Sequence, residues 1–237
     1  MRNIINRCEQ WLRDEVETAH ASGIVLGLSG GIDSSVLAAI GREALGRDKV
    51  LGIIMPCHSI DDDEADARLL IKALDINFMR VDLSGVFDLE LDAIGSELNS
   101  LVKSNLKARL RMVTLYAAAQ SKNFLVCGTS NKSEYETGYF TKFGDSGVDL
   151  MPLANFLKRE IREAAKILNV PEKIINKAPS AGLYEGQTDE GDMGFSYDVL
   201  DEYLATGKID SEKARERIDV MRRRSEHKRK PIPIFKF

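Results

Sequence analysis

Cysteine is scarce in this chain: Cys8, Cys57 and Cys127 are the only three in 237 residues. They are odd in number, form no CxxC spacing and follow no secretory leader, so they point to a reduced, cytoplasmic setting rather than a disulfide framework. Cys127 closes an apolar run and is expected as a core thiol, not a nucleophile. Long hydrophobic runs are missing too. None reaches the roughly 18 residues that would span a bilayer, which speaks against a membrane protein. No internal repeat or low-complexity linker interrupts the sequence, so residues 1–237 are read as one domain able to bury a sizeable core. Surplus positive charge is lacking as well. A formal net charge of −4 argues against a surface built to grip nucleic acid, and one basic stretch remains, "MRRRSEHKRK" at 221–230. That stretch reads either as a solvated helix end or as a phosphate contact.

What the chain does have is alternation. Short apolar runs recur as "IVLGLS" (24–29), "VLGIIM" (50–55), "INFMRVDL" (76–83), "FLVCG" (124–128) and "GVDLMPL" (147–153). Their near-continuous apolarity suits strands buried on both faces. Amphipathic stretches lie between or after them: "SVLAAIGREAL" (35–45), "DDEADARLLIKAL" (62–74), "LKARLRMVTLYAAAQ" (106–120) and "REIREAAKILN" (159–169). Strand–helix alternation predicts an α/β fold, a Rossmann-like parallel sheet with helices on both faces. Ligands of such sheets lie beyond the carboxyl ends of the strands, which directs attention to the loops after Leu28, Met55, Gly128 and Leu150. The acidic run Asp61, Asp62, Asp63, Glu64 is explained by a helix first turn, with a metal cluster as the less economical reading. Residues 178–194, "APSAGLYEGQTDEGDMG", have no periodicity and are expected to form a long mobile loop, either an active-site lid or a plain surface excursion.

The loop after the first run carries the chemistry. In "GLSGGIDSS" (27–35), glycines let the backbone turn and expose amides, and a helix begins where those amides point. The stretch lacks the lysine of a GxxxxGK[ST] loop and the third glycine of a dinucleotide fingerprint. What remains is Ser29, Ser34 and Ser35 hydroxyls around the amides, with the Asp33 carboxylate. Hydroxyls and amides suit a pyrophosphate, and a carboxylate suits the Mg²⁺ that neutralises it.

"SGGIDSS" resembles the pyrophosphate-binding loop of the ATP pyrophosphatases, which cut ATP between the α- and β-phosphates. Downstream, "NLKARLRM" (105–112), "GTSNKSEYETGYFTKFGDSGVDLMPLANFLKREI" (128–161), "KAPSAGL" (177–183) and "EHKRKPIP" (226–233) resemble, in order, the ammonia-dependent NAD synthetases. The resemblance runs from about residue 10 to the end and implies an adenine nucleotide alpha hydrolase-like fold. It also implies a reaction. The nicotinate carboxylate of deamido-NAD attacks the α-phosphorus of ATP, pyrophosphate leaves, and ammonia displaces AMP from the adenylate to give NAD.

Carried over by position, the resemblance assigns Gly27, Leu28, Ser29, Gly30, Gly31, Ile32, Asp33 and Ser34 to the ATP phosphates, with Thr129, Lys158 and Ser180 as further ATP contacts. Members of the family usually have threonine where Ser180 stands, a change that keeps the hydroxyl. Asp33 and Glu134 would bind Mg²⁺. Arg109, Lys142, Asp149, His227 and Lys228 would reach deamido-NAD, with Asp149 also taking a proton from ammonium. Asp33, Asp149 and Lys158 are the expected catalytic set. Arg222, Arg223, Arg224 and Arg229 are expected on a solvated or intersubunit face, and Met55 and Ser59 near the adenine. The resemblance also implies a homodimer. Taken without it, Arg109, Lys142 and Lys158 read as surface charges, Asp149 as a turn cap and Glu134 as a first-turn acid. Other readings are a tRNA-modifying or GMP-forming ATP pyrophosphatase and a non-catalytic adenine-nucleotide sensor.

Overall fold

In the computed structural model, which describes residues 1–59, 61–179 and 188–237, four short strands form one parallel sheet. They are β1 (Gly23–Gly27), β2 (Val50–Ile54), β3 (Asn77–Arg80) and β4 (Phe124–Val126). The helices before and between them are α1 (Arg2–Thr18), α2 (Ile32–Leu45), α3 (Asp61–Leu74), α4 (Ser84–Ile94) and α5 (Ser100–Lys122). After β4 the described chain is helical: α6 (Lys132–Thr137), α7 (Lys158–Ile167), α8 (Glu172–Ile175), α9 (Asp189–Met193), α10 (Tyr197–Thr206), α11 (Glu212–Arg224) and α12 (Glu226–Arg229). The expected parallel sheet with helices on both faces is therefore what forms.

Side-chain alternation decides which helix covers which face. Ile24 and Leu26 of β1, with Val50 and Ile54 of β2, face a core filled by α1, α2, α3, α7 and α8. Val25, Leu51 and Ile53 point the other way, against Phe87 of α4 and Ala119 of α5. A third cluster, Met193, Phe195, Tyr197, Leu200 and Ile218, packs the C-terminal helices together.

The strand order is β3-β2-β1-β4. The chain builds outward from β1 in one direction and then returns to the other side of it, so the connections diverge between β1 and β4. That divergence opens a crevice at the carboxyl ends of the two strands.

The fifth expected strand, 147–153, is not one. Its contact with the sheet is a single bridge, Cys127 to Leu150. The reason is local competition. Asp149 N and Leu150 N both donate to Val126 O, at 2.9 and 3.1 Å, while the Asp149 carboxylate accepts from Val126 N at 2.8 Å. A side chain occupies the donor that a ladder would need. The expected loop at 178–194 is corrected in part: 189–193 is helix α9, with Asp189 and Met193 buried. Residues 180–187 lie outside the described residues.

Candidate active site

At the end of β1 the backbone still belongs to the sheet, since Leu28 N donates to Ile53 O at 2.9 Å. It then turns through Gly30, at φ +74°, and Gly31 leads into α2 without a side-chain cap. The Gly31 amide donates to Ser29 Oγ at 3.3 Å, whereas the amides of Ile32, Asp33 and Ser34 find no side-chain acceptor among the described residues, the arrangement that favours an anion. The serines tighten the turn. Ser34 and Ser35 hydroxyls donate to Gly31 O at 3.0 and 2.8 Å, and Ser29 Oγ lies 3.2 Å from Ser34 Oγ.

Asp33, in the first turn of α2, faces residues brought from the far side of the crevice. Lys158 Nζ, at the start of α7, lies 2.6 Å from Asp33 Oδ2 and 3.3 Å from Glu134 Oε1. The lysine side chain is only 2% exposed, and the two carboxylates 17% and 16%. Burial by itself would lower the Lys158 pKa, but Asp33 and Glu134 outweigh it and hold the group above its ordinary value as an ammonium. Glu134 goes the other way. Burial pushes its carboxyl up to about 8, Lys158 opposes the shift, and Asp33 reinforces it. Asp33 is the closer counter-ion of Lys158, at 2.6 Å against 3.3 Å for Glu134.

Glu134 is positioned by a capping box at α6. Asn131 Oδ1 accepts from Glu134 N at 3.1 Å, and Glu134 Oε2 accepts from Asn131 N at 3.3 Å. Asn131 also donates from Nδ2 to Asp33 Oδ1 at 2.8 Å, so one asparagine fixes both acids. Glu134 is therefore a first-turn helix acid and a site acid at once, because its two oxygens face opposite ways.

Lys158 is positioned from α10. Asp201 is fully buried and accepts from Arg159 N at 2.7 Å, Ser133 Oγ at 2.6 Å and Lys158 N at 3.3 Å. Beneath the ammonium lies the Tyr197 ring, 4.8 Å from Nζ to its centroid. The Tyr197 hydroxyl donates to Asp189 Oδ2 at 2.9 Å and approaches Glu134 Oε1 at 3.4 Å. Burial raises the Asp189 carboxyl and, with Glu134 and Asp189 beside it, the Tyr197 hydroxyl.

The residues expected at deamido-NAD split into three places. Arg109, Lys142 and His227 meet: Arg109 Nη2 donates to Lys142 O at 3.3 Å, and Lys142 Nζ to His227 O at 2.8 Å. Lys228 is a pin, donating to Gly138 O and Phe140 O at 2.7 and 2.6 Å. Asp149 is held at the end of β4 by Val126 N and by the Tyr116 hydroxyl at 3.0 Å. Burial, then Asp149, push that hydroxyl up to about 12. Thr129 is half-buried between β4 and α6, and Ser180 lies outside the described residues. The arginines expected on a solvated or intersubunit face divide between intramolecular partners and solvent. Arg222 pairs with Glu136 at 2.8 Å, and Arg229 donates to the carbonyls of Tyr135 and Arg222. Arg223 and Arg224 are exposed.

Among the described residues no group of three or more His, Cys, Asp or Glu side chains gathers as a metal cluster, and within the acidic run at α3 Asp63 pairs with Lys177 and Glu64 with Arg68 and Arg80. Asn131, Ser133, Asp189, Tyr197 and Asp201 escaped the sequence reading. "NKSE" carries a capping-box pattern that could have found Asn131, but nothing local distinguishes Asp201 from a surface acid.

The NAD synthase family model matches residues 4–232. Over 238 residues the chain is 48% identical to the NH(3)-dependent NAD(+) synthetase of Finegoldia magna, covering 99% of this chain and 98% of that protein. It superposes on NMN synthetase from Francisella tularensis with a TM-score of 0.96 at 40% identity, covering 100% of this chain and 98% of that one. NH3-dependent NAD synthetase from Campylobacter jejuni gives a TM-score of 0.82 at 30% identity, covering 99% and 98%. With a lysine and two carboxylates at the β1–β4 crevice and likeness along nearly its whole length, the chain belongs to the NAD synthase family.

Proposed function

We propose that this protein amidates deamido-NAD with ammonia at the expense of ATP, releasing AMP and pyrophosphate. The observation that carries the reading is the buried Lys158 ammonium between Asp33 and Glu134, beside the uncapped start of α2, in a chain of this family. A carboxylate does not acylate ammonia until one of its oxygens becomes part of a leaving group. Residues 27–34 hold the triphosphate through α2 amides and serine hydroxyls, orienting the α-phosphorus for attack. Lys158 supplies fixed positive charge in a site with little water, where it stabilises charge developing on phosphate oxygens.

The two carboxylates also fit Mg²⁺, since oxygens from the first turns of α2 and α6 converge on one cationic nitrogen at 2.6 and 3.3 Å. Asp33 and Glu134 would hold the ion, which would neutralise the leaving pyrophosphate. Arg109, Lys142 and His227 form the edge for the dinucleotide, and Asp149 has a fixed orientation suited to accepting a proton from ammonium. Exposed Leu89, Leu101 and Val113 on α4 and α5 support a homodimer. No described helix is long and apolar enough to cross a membrane. The net charge of −4 speaks against a surface that grips nucleic acid, and three buried free thiols fit a reduced, cytoplasmic setting.

A second substrate has one observation behind it, the likeness to the Francisella tularensis NMN synthetase. On that reading the activated carboxylate belongs to deamido-NMN. The test supplies ATP, Mg²⁺ and ammonium with either acid and measures amide and AMP. NAD formation with the higher kcat/KM for deamido-NAD supports the main reading, and preference for deamido-NMN replaces it. No AMP with either acid, from folded protein, sinks both.

A further inference from the structure

We infer that Lys177 is a positioning residue for the phosphate loop, acting through Asp63 at the start of α3. The loop's left-handed turn at Gly30 is packed so tightly on α3 that a Cβ there would overlap the Asp63 carbonyl. The backbone of α3 is thus the floor of the loop, and a small shift of that floor moves the amides at the start of α2.

That floor is gripped from the other end of the chain. Lys177 Nζ lies 2.8 Å from Asp63 Oδ1 and 2.6 Å from Asp66 Oδ2. Asp66 is 1% exposed, and its other oxygen takes Lys173 Nζ at 2.6 Å. Burial would raise Asp66, yet the two lysines outweigh it and keep the carboxyl below its ordinary range. The two lysines are not equivalent. Lys173 holds Asp66 alone, whereas Lys177 also reaches Asp63, the residue on which Gly30 rests.

Lys177 belongs to a stretch that is tied to the opposite wall of the crevice as well. Two residues on, Pro179 O accepts from Asp189 N at 3.1 Å, and Asp189 receives the hydroxyl of Tyr197, whose ring underlies Lys158. One short segment therefore connects the floor of the phosphate loop to the ammonium across from it. The Lys177–Asp63 pair is about a third exposed on each side, 30% and 28%, so it contributes little to global stability and its geometry is what matters.

This inference rests on the proposed placement of the ATP phosphates at residues 27–34. The test is steady-state kinetics, by AMP formed, on Lys177→Met, Lys177→Arg, Lys173→Met, Asp63→Asn and Asp33→Asn, each checked for folding by circular dichroism. Lys177→Met and Asp63→Asn are expected to raise the KM for ATP about tenfold, as loss of one charge-assisted hydrogen bond would. The KM values for deamido-NAD and ammonium stay within about twofold, Lys177→Arg recovers most of the loss, and Lys173→Met remains near wild type. If Lys177→Met does not fold, Asp63→Asn carries the same comparison. Unchanged ATP KM in Lys177→Met and Asp63→Asn, or equal shifts in Lys177→Met and Lys173→Met, overturns the inference. Wild-type behaviour of Asp33→Asn removes the phosphate placement beneath it. An impaired Asp33→Asn beside a normal Lys177→Met overturns the Lys177 role alone.

Discussion

Removing the Asp201 carboxylate should unseat Lys158 and cost more stability than an acidic residue on a helix ordinarily would. Helix α7 starts after Leu157, whose side chain cannot cap it, and Asp201 from α10 does that work from across the fold. Two of its three bonds are short, 2.6 Å from Ser133 Oγ and 2.7 Å from Arg159 N, and the third, from Lys158 N, is 3.3 Å. Each short bond to an ionised acceptor contributes about 1.5–3 kcal/mol. Asp201→Ala loses both and leaves the buried Ser133 hydroxyl without this acceptor, so a loss of about 3–5 kcal/mol is expected. With a urea m-value of about 2–3 kcal/mol/M, the midpoint should fall by more than about 1 M. Asp201→Asn keeps an acceptor oxygen and should fall by less than half as much. The assay is urea unfolding followed by circular dichroism, with AMP formation measured on the same samples below the transition. An Asp201→Ala variant within about 1 kcal/mol of wild type, with normal kcat, would refute the argument that this carboxylate seats α7.

Three further outcomes are expected. Gly138→Ala meets two obstacles, φ +69° and overlap with Ser225, so it should lower stability by about 2–4 kcal/mol in the same unfolding assay; a loss under about 1 kcal/mol would contradict the packing. Lys158→Met leaves two carboxylates without their ammonium and should reduce AMP formation by at least about 10²-fold, measured at saturating ATP; near-normal turnover would remove the lysine from the reaction. Glu9 is buried, one of its oxygens finds no partner among the described residues, and burial followed by the neighbouring Glu43 raises its pKa from 4.5. The folded state then holds the proton to higher pH than the unfolded chain, so stability declines as pH rises from about 4.5 through the raised value. Glu9→Gln should therefore raise Tm at pH 8 and leave it unchanged at pH 4, and the reverse order would contradict the linkage.

What sequence could reveal here was local. Apolar runs located β1, β2 and β4 within a few residues, because strands buried on both faces announce themselves in composition. The turn at Gly30 into α2 was legible because its glycines and helix start are contiguous. The segment 147–153 misled for the same reason: its apolar residues look like a strand, and the competing bond from Asp149 to Val126 N spans 23 positions. Lys158 and Asp33 stand 125 positions apart, so resemblance to a family could name them but no spacing rule could pair them. Asp201, Tyr197 and Asp189 sit among acidic and aromatic residues of ordinary surface composition, and burial alone gives them their roles.

The ammonium between Asp33 and Glu134 has a consequence for any cation the site admits. A tethered amine is a competitor that cannot diffuse away, present at an effective concentration of the order of millimolar or more whatever the solution contains. If the proposed Mg²⁺ site is correct, a divalent ion would have to displace the amine from Asp33 and Glu134, and its affinity would be set by subtraction and tuned by the position of α7. On the proposed reading, lysine in this place would offset part of the carboxylate charge and reserve ion capture for the moment when the phosphates of ATP offer the amine somewhere else to go.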